Sequence, residues 1–246
     1  MKKVISLLTA TMLILLTGCS SAETTPVASE EVPKESESVT EAEPTETTGP
    51  KLTFIGHAAI QLTASDGRTI LIDPSISNYQ YPDAVDFVLV THSHEDHKPY
   101  YKIKLKEDGT KITYNEALID GAYQKFEFDG ITIEAVPMGG NEGHPLGYGT
   151  GFIVTVDGIS IYHAGDSSNV PELQALASKE IDYALYPIDG QFNMDAIEAT
   201  ELANIIGATH NIPIHMSNAP GEDKSVNFTP EGRLVLKETE TITLEK

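Results

Sequence analysis

Between residues 51 and 246 the hydrophobic positions fall mainly into short runs separated by turn residues. Runs of four to six β-branched and apolar residues, closed by Asp-Gly pairs, predict strands that are joined in hairpins. Such pairs stand at 66–67, 129–130 and 157–158. The strands predicted in this way are 52–55, 59–63, 69–72, 87–90, 131–136, 152–156 and 159–162, with a last strand near 240–244.

Helical periodicity is confined to two segments. Residues 170–177 have Pro171 in the first turn, a position that proline favours. The stronger pattern covers 194–206, with apolar residues at helical spacing, Asn193 as the expected cap and Gly207 as the expected end. Many short strands with a few interspersed helices predict an α/β fold built as a layered sandwich.

The first nineteen residues have a different pattern. A short basic start precedes an almost continuous apolar run at 4–16, and the chain's only cysteine, Cys19, follows small residues. This order is typical of a secretory signal, which is too short to be a transmembrane helix. It resembles a bacterial lipoprotein signal, which implies cleavage after residue 18 and lipid attachment to Cys19. The alternative is an ordinary secretory signal with an incidental cysteine. We predict a signal peptide at 1–18 and a lipid-anchored protein on the extracytoplasmic face of the cell membrane.

Residues 19–50 are rich in Ser, Thr, Glu and Pro and almost lack large apolar side chains. Such a segment buries too little surface to offset the entropy of ordering it, so we predict a disordered acidic tether before a folded domain at 51–246. The whole chain has a net charge of −21. Nucleic acid is therefore not expected as a partner, because phosphate binding needs clustered Lys and Arg. The expected partner is therefore a small-molecule or lipid-derived substrate.

The segment 90–97 carries the most informative chemistry. It reads Val-Thr-His-Ser-His-Glu-Asp-His and follows a predicted buried strand. His92 and His94 are two residues apart, so an extended backbone directs both side chains to one side. Asp96 and His97 come after a turn and can face a second point. Because imidazole and carboxylate are ligands of zinc and similar divalent ions, the segment predicts a metal site.

This H-x-H-x-D-H pattern resembles the signature of the metallo-β-lactamase superfamily. Further residues of the ligand type follow in the superfamily's order, with His144 ahead of a glycine-rich segment and Asp166 and His215 at strand ends. The resemblance implies a four-layer αββα sandwich. It is closest to the branch of small metal-dependent hydrolases that includes L-ascorbate-6-phosphate lactonase. The features shared with that branch are Ile55-Gly56-His57, Leu71-Ile72-Asp73-Pro74 and Asn193-Met194.

The resemblance also implies two divalent metal ions, with zinc preferred and manganese or iron compatible. The implied ligands divide into two sets with one residue between them: His92, His94 and His144 for the first ion, Asp96, His97 and His215 for the second, and Asp166 as the bridge. A metal-bridging hydroxide would then cleave an ester, lactone or phosphodiester bond. Asp96 and Asp166 are the expected catalytic residues, through proton transfer. Aspartate at position 166, where some true β-lactamases have cysteine, lowers the expectation of antibiotic hydrolysis.

Four more residues near these motifs are candidates for contact with the ligands or the substrate. For His57 such a contact and a structural role are equally supported, whereas for His163 packing is favoured. Asp73 either orients a ligand histidine through its Nδ1–H or forms a turn before Pro74. Asp189 adds negative charge near the site, where the family leads us to expect a Gly-Gly-like pair.

Two classes of function are compatible with these residues. The enzyme class includes a lactonase and a phosphodiesterase or phospholipase that acts on lipid head groups. Di-iron redox chemistry also occurs in the superfamily, but no flavin-binding domain is attached here. The rival class is a non-catalytic lipoprotein that binds metal or ligand as a sensor or transporter component. The complete ligand set favours the enzyme.

Overall fold

The computed structural model describes residues 49–75, 77, 79–216 and 222–246. The predicted signal peptide, Cys19 and almost all of the predicted tether lie outside the described residues. The described strands are β1 Lys51–Gly56, β2 Ala59–Thr63, β3 Thr69–Ile72, β4 Val85–Val90, β5 Leu105–Thr113, β6 Leu118–Ile119, β7 Ala122–Tyr123, β8 Lys125–Phe128, β9 Ile131–Val136, β10 Gly151–Val156, β11 Ile159–His163, β12 Tyr183–Pro187, β13 His210–Ile214 and β14 Thr241–Thr243.

Helices are fewer than strands among the described residues. The α-helices are α1 Tyr114–Ala117, α2 Pro171–Gln174 and α3 Ala196–Ile206, and 3₁₀ turns cover Pro99–Lys102, Ala175–Lys179 and Lys224–Asn227. In the part of the chain that the structure describes, no helix has the length and hydrophobicity needed to cross a bilayer.

Two six-stranded mixed sheets form most of the described fold, and β6 and β7 form a separate two-stranded sheet. The first has the order β14-β1-β2-β3-β4-β5 and the second β13-β12-β11-β10-β9-β8. In each sheet antiparallel pairing gives way to parallel pairing, at β3–β4 and β4–β5 in the first sheet and at β11–β12 and β12–β13 in the second. The parallel strands of both sheets therefore bring their carboxyl ends together at an edge, where ligands commonly bind in α/β proteins.

The main core lies between the sheets. Alternating residues of β2, β4, β10 and β11 point inward and are fully buried, as the period of a strand requires. Members of this core from the first sheet include Leu52, Ile60, Ile70 and Leu89, and members from the second include Ile133, Val154, Ile161 and Leu185.

Each sheet is also covered on its outer face. Tyr162 and Tyr186 of the second sheet belong to one buried cluster with Ala199 and Leu202 of α3. The outer face of the first sheet is covered by partly buried tyrosines such as Tyr100, from loops and a 3₁₀ turn rather than from a long helix. The predicted αββα sandwich is confirmed, but the layer outside the first sheet consists mainly of loops and a 3₁₀ turn, whereas α3 covers the second sheet.

The predicted start of α3 was wrong by two residues. Asp195 is the cap, because its carboxylate accepts hydrogen bonds from Ile197 N and Glu198 N, and the Glu198 side chain bonds back to Asp195 N. The predicted cap Asn193 instead donates its amide to Asp189. Gly207 ends the helix in the left-handed conformation, as predicted.

Candidate metal centre

The candidate ligands lie on loops that follow strands. The loop after β4 contributes His92, His94, Asp96 and His97, the segment after β11 contributes Asp166, and His215 follows β13 directly. His144 comes from the long loop between β9 and β10. Strand order thus brings together residues from four distant parts of the chain.

The first cluster is formed by His92, His94, His144 and Asp166. Their candidate ligand atoms lie within 4.8 Å of one another. His144 Nε2 is 3.0 Å from His94 Nδ1 and 3.3 Å from Asp166 Oδ2. Three of the four residues are buried, and His94 is partly exposed.

The second cluster contains Asp96, His97 and His215 and also His57, which sequence reasoning left undecided. Asp96 Oδ2 is 3.1 Å from His57 Nε2 and 3.6 Å from His215 Nε2. The His57 and His215 rings are tilted against each other with their centroids 3.9 Å apart. With side chains 19% and 41% exposed, His57 and Asp96 form the open side of this cluster. The only sequence signal for His57 was its place in Ile55-Gly56-His57.

Asp166 lies between the clusters. Its Oδ2 is 3.9 Å from His92 Nε2 and 3.3 Å from His144 Nε2 in the first cluster. Its Oδ1 is 3.3 Å from His97 Nε2, and its Oδ2 is 3.6 Å from His215 Nε2, in the second. One carboxylate therefore faces four imidazoles from two sides, which is the geometry that a bridging ligand requires.

Several atoms of these clusters are buried without a hydrogen-bond partner. Buried polar groups nearly always have a partner, so each exception needs an explanation. The exceptions that face the space between the clusters are Nε2 of His92, His97 and His215 and Oδ1 of Asp166. Since all four are good metal-ligand atoms, the residues present fit divalent cations.

The negative charge of the carboxylates at the site also favours divalent cations there. Asp73, Asp96, Asp166 and Asp189 lie in or directly behind the clusters, and three of them are almost completely buried. Four buried or half-buried carboxylates are costly without compensation. The four positive charges of two divalent cations would balance them.

Asp73 contacts candidate ligands of both clusters, His97 directly and His92 through Thr91. It is fully buried, accepts hydrogen bonds from Thr91 N at 2.8 Å and Thr91 Oγ1 at 2.7 Å, and lies 2.9 Å from His97 Nδ1. Thr91 Oγ1 is also 2.9 Å from His92 Nδ1. Although burial alone would raise it, the pKa of Asp73 is lowered to about 2, first by His97 and then by His163 and His92. Of the two roles open from the sequence, these contacts fit the orientation of a ligand histidine. Thr91, which stands just ahead of the motif, was not singled out in the sequence.

Asp189 lies behind His215 at ion-pair distance, without the hydrogen-bond geometry that joins Asp73 to His97. Asp189 Oδ2 is 3.0 Å from His215 Nδ1. The carboxylate is fixed by Gln191 N, Phe192 N and Asn193 Nδ2 at 2.7 to 2.8 Å. Burial favours the neutral imidazole, but Asp189 and the more distant Asp96 raise the pKa of His215 to about 10 in the metal-free chain. The charge that the sequence places near the site therefore acts on a candidate ligand histidine.

Of the described non-glycine residues with positive φ, three lie at this site and four lie elsewhere. His57, Asp73 and His215 have positive φ values of 56°, 47° and 50°. Left-handed conformations are unfavourable for such residues and persist where the surrounding structure enforces them, often at functional sites. A hydrogen bond of 2.8 Å from His215 N to His57 O ties two of these residues together across the sheets.

Two further histidines lie outside both clusters. His163 is fully buried. Its Nε2 lies 2.8 Å from Ala58 O, a contact that joins the two sheets, and its Nδ1 accepts a hydrogen bond from Gly165 N. His210 is half-buried and stacks on Tyr183 with ring centroids 4.4 Å apart. Sequence reasoning also missed Tyr148, whose hydroxyl lies 2.7 Å from Ser93 Oγ beside the first cluster. Its place within Gly147-Tyr148-Gly149 was the only available signal.

Known proteins share this architecture and this site region. The model of the Beta-lactamase superfamily domain matches residues 51–215. A UPF0173 metal-dependent hydrolase of Pyrococcus furiosus is 32% identical over 195 residues, covering 69% of this chain and 86% of that protein. A second, from Methanoculleus marisnigri, is 30% identical and covers 69% and 82% of the two chains.

Solved structures show the same relationship. An inferred metal-dependent hydrolase of Parabacteroides distasonis superposes with a TM-score of 0.64 at 26% identity. The match covers 78% of this chain and 94% of that one. The similarity therefore extends over the sandwich as a whole and is not confined to the histidine motif.

Proposed function

Because this chain belongs to the metallo-β-lactamase superfamily and is a metal-dependent hydrolase, we propose that it uses two adjacent divalent cations to hydrolyse an ester, lactone or phosphodiester bond. The observation that supports two ions rather than one is the position of Asp166, which lies within 3.9 Å of four imidazoles from two clusters. Zinc is the preferred metal for such ligands, and manganese or iron is compatible.

The proposed ligands follow the two clusters. His92, His94 and His144 would hold the first ion, Asp96, His97 and His215 would hold the second, and Asp166 would contact both. When bound, such a pair supplies Lewis acidity to the substrate oxygen and lowers the pKa of water toward neutrality.

Asp96 and His57 are the residues placed to move protons. They form the exposed side of the second cluster and are 3.1 Å apart, so substrate and solvent reach them before they reach the buried ligands. Burial disfavours the Asp96 carboxylate, but His215 and His57 keep its pKa below the ordinary value, so it is ionised at neutral pH. An ionised Asp96 can accept a proton from the attacking water, and the Nε2 of His57 can carry it toward the leaving oxygen.

A charge-neutralising variant tests whether this site is catalytic. Asp96→Asn keeps the shape of the side chain but removes its charge and basicity. We expect hydrolysis to fall by about 10²–10⁴-fold, the usual contribution of a positioned acid–base group, while the fold and the ion held by His92, His94 and His144 remain.

Glu95→Gln is the matched control, because it removes the same charge from the neighbouring residue, which is exposed and paired with Lys98 at 3.0 Å. It should stay within a few-fold of the wild type. The assay is a panel of lactone, carboxylic ester, phosphodiester and β-lactam substrates with a metal analysis of each protein. Wild-type turnover that Asp96→Asn leaves unchanged would exclude this site as the catalytic one.

The rival function is a non-catalytic metal- or ligand-binding lipoprotein. It predicts ligand binding that is equal in Asp96→Asn and Glu95→Gln, with no hydrolysis of any substrate. In either case we propose that the domain is carried on a lipid anchor at Cys19 at the outer face of the cell membrane, which would bring lipid-derived esters within reach.

A further inference from the structure

The two ligand clusters differ in what lies behind their imidazoles. We infer that the two metal sites are unequal, so that the site of Asp96, His97 and His215 binds its cation first and more tightly, and that Asp189 is a positioning residue for this site. The inference rests on the proposed two-metal function and adds the order in which the ions bind.

The two proposed ligand histidines of the second cluster, His97 and His215, each have a buried carboxylate at the nitrogen that faces away from the metal space. Asp73 Oδ2 lies 2.9 Å from His97 Nδ1, and Asp189 Oδ2 lies 3.0 Å from His215 Nδ1. Asp73 is 0% exposed and Asp189 4% exposed, so solvent screens neither charge effectively. Asp96 adds a third carboxylate to this side.

The first cluster has weaker support, because Asp73 reaches His92 only through the Thr91 hydroxyl. Apart from Asp166, no carboxylate in residues 49–75, 77, 79–216 and 222–246 lies within 4.0 Å of a ring nitrogen of His92, His94 or His144. His92 Nδ1 faces the neutral hydroxyl of Thr91 at 2.9 Å instead.

A carboxylate behind a ligand imidazole fixes its tautomer and increases its basicity, and the loss of such a partner typically lowers metal affinity by about 10–100-fold. Two such partners on one side predict a clear difference between the sites. Asp189 is itself anchored by three donors, so its charge cannot turn away from His215.

The experiment is a titration of the metal-free, full-length chain with Co²⁺ against a competing chromophoric chelator, with the d–d absorbance of each step recorded. The wild type should bind in two steps that differ at least ~10-fold in affinity. His144→Ala should abolish the weaker step and keep the tighter one, whereas His215→Ala should abolish the tighter step. The wild type and both histidine variants retain Asp189, so these titrations test the order of binding separately from the role of Asp189.

Asp189→Asn then tests the positioning role. It should weaken the tight step by about 10–100-fold and leave the weak step almost unchanged, with a shifted Co²⁺ spectrum for the tight step. Asp195→Asn is the matched control. It removes the same charge from the residue that pairs with Asp189 in an isolated β-bridge, and asparagine can still cap α3. Both steps should be unchanged in this variant.

Three results would overturn the inference: steps of equal affinity, a tight step that disappears in His144→Ala, or a tight step that Asp189→Asn leaves intact. A wild-type chain that binds fewer than two ions would instead contradict the two-metal proposal itself. The two failures are therefore distinguishable.

Discussion

Asp73→Asn should destabilise the metal-free protein strongly, because Asp73 accepts hydrogen bonds from Thr91 and lies against His97 Nδ1 with no exposure to solvent. The asparagine amide would bring a donor against a donor at one of these contacts. Removing one partner of a buried, charged pair typically costs about 3–5 kcal/mol. For a domain of about 200 residues, in which 1 kcal/mol shifts the midpoint by about 2–4 °C, this corresponds to a decrease of roughly 6–20 °C.

The assay is thermal unfolding followed by far-UV circular dichroism after removal of metal, since the chain has no Trp for fluorescence. Asp66→Asn, in an exposed turn beside Arg68, is the control and should leave the midpoint nearly unchanged. The pKa of Asp73 is depressed to about 2 in the folded state. The contribution of the Asp73 carboxylate to the free energy of unfolding is therefore complete above the unfolded pKa of about 3.9 and is lost as the pH falls toward 2. The difference in thermal midpoint between the wild type and Asp73→Asn should therefore decrease as the pH falls from about 3.9 toward 2. Equal midpoints at pH 7 would refute the reasoning.

Two more outcomes follow from the proposals above. Cys19→Ala should abolish incorporation of labelled fatty acid and leave the protein unprocessed or released from the membrane; labelling at the wild-type level would show that the lipoprotein prediction is wrong. Chelation of the wild-type protein should lower its thermal midpoint, since an ion present at 100 times its Kd contributes about 2.7 kcal/mol, or roughly 5–11 °C per ion. Re-addition of metal should restore the midpoint, and a midpoint that does not respond to chelator would mean that the clusters hold no ion.

The sequence was most informative where the chemistry is local. His92, His94, Asp96 and His97 stand within six residues, so a strand followed by a turn was enough to predict two diverging sets of ligands. Asp-Gly pairs and alternating runs likewise placed the hairpins β2–β3 and β10–β11. Both signals depend on contacts between near neighbours in the chain.

The contacts behind the ligands depend on strand order, which the sequence does not contain. Asp189 reaches His215 because β12 and β13 are parallel neighbours, with Pro187 opposite Ile214. His57 reaches the same histidine from the other sheet. Neither pairing has a local pattern, so the sequence could only show a charge and a histidine near the motifs.

Among the strands that the sequence did not predict, β12 and β5 were missed for opposite reasons. β12 is buried along its whole length, so it has no alternation of polar and apolar residues. β5 lies at the edge of the first sheet, and its residues 106–108 are exposed and charged, as is common for an edge strand. The cap of α3 was misassigned because Asn193 and Asp195 are both good cap residues, and the bond from Asn193 to Asp189 decided between them.

The most direct test of the central claim is anomalous X-ray diffraction, at the metal absorption edge, from crystals of the purified metal-loaded protein. The account predicts two peaks about 3.5–4 Å apart, one among His92, His94 and His144 and the other among Asp96, His97 and His215, with Asp166 in contact with both. A single peak, or two peaks that do not share Asp166, would contradict it.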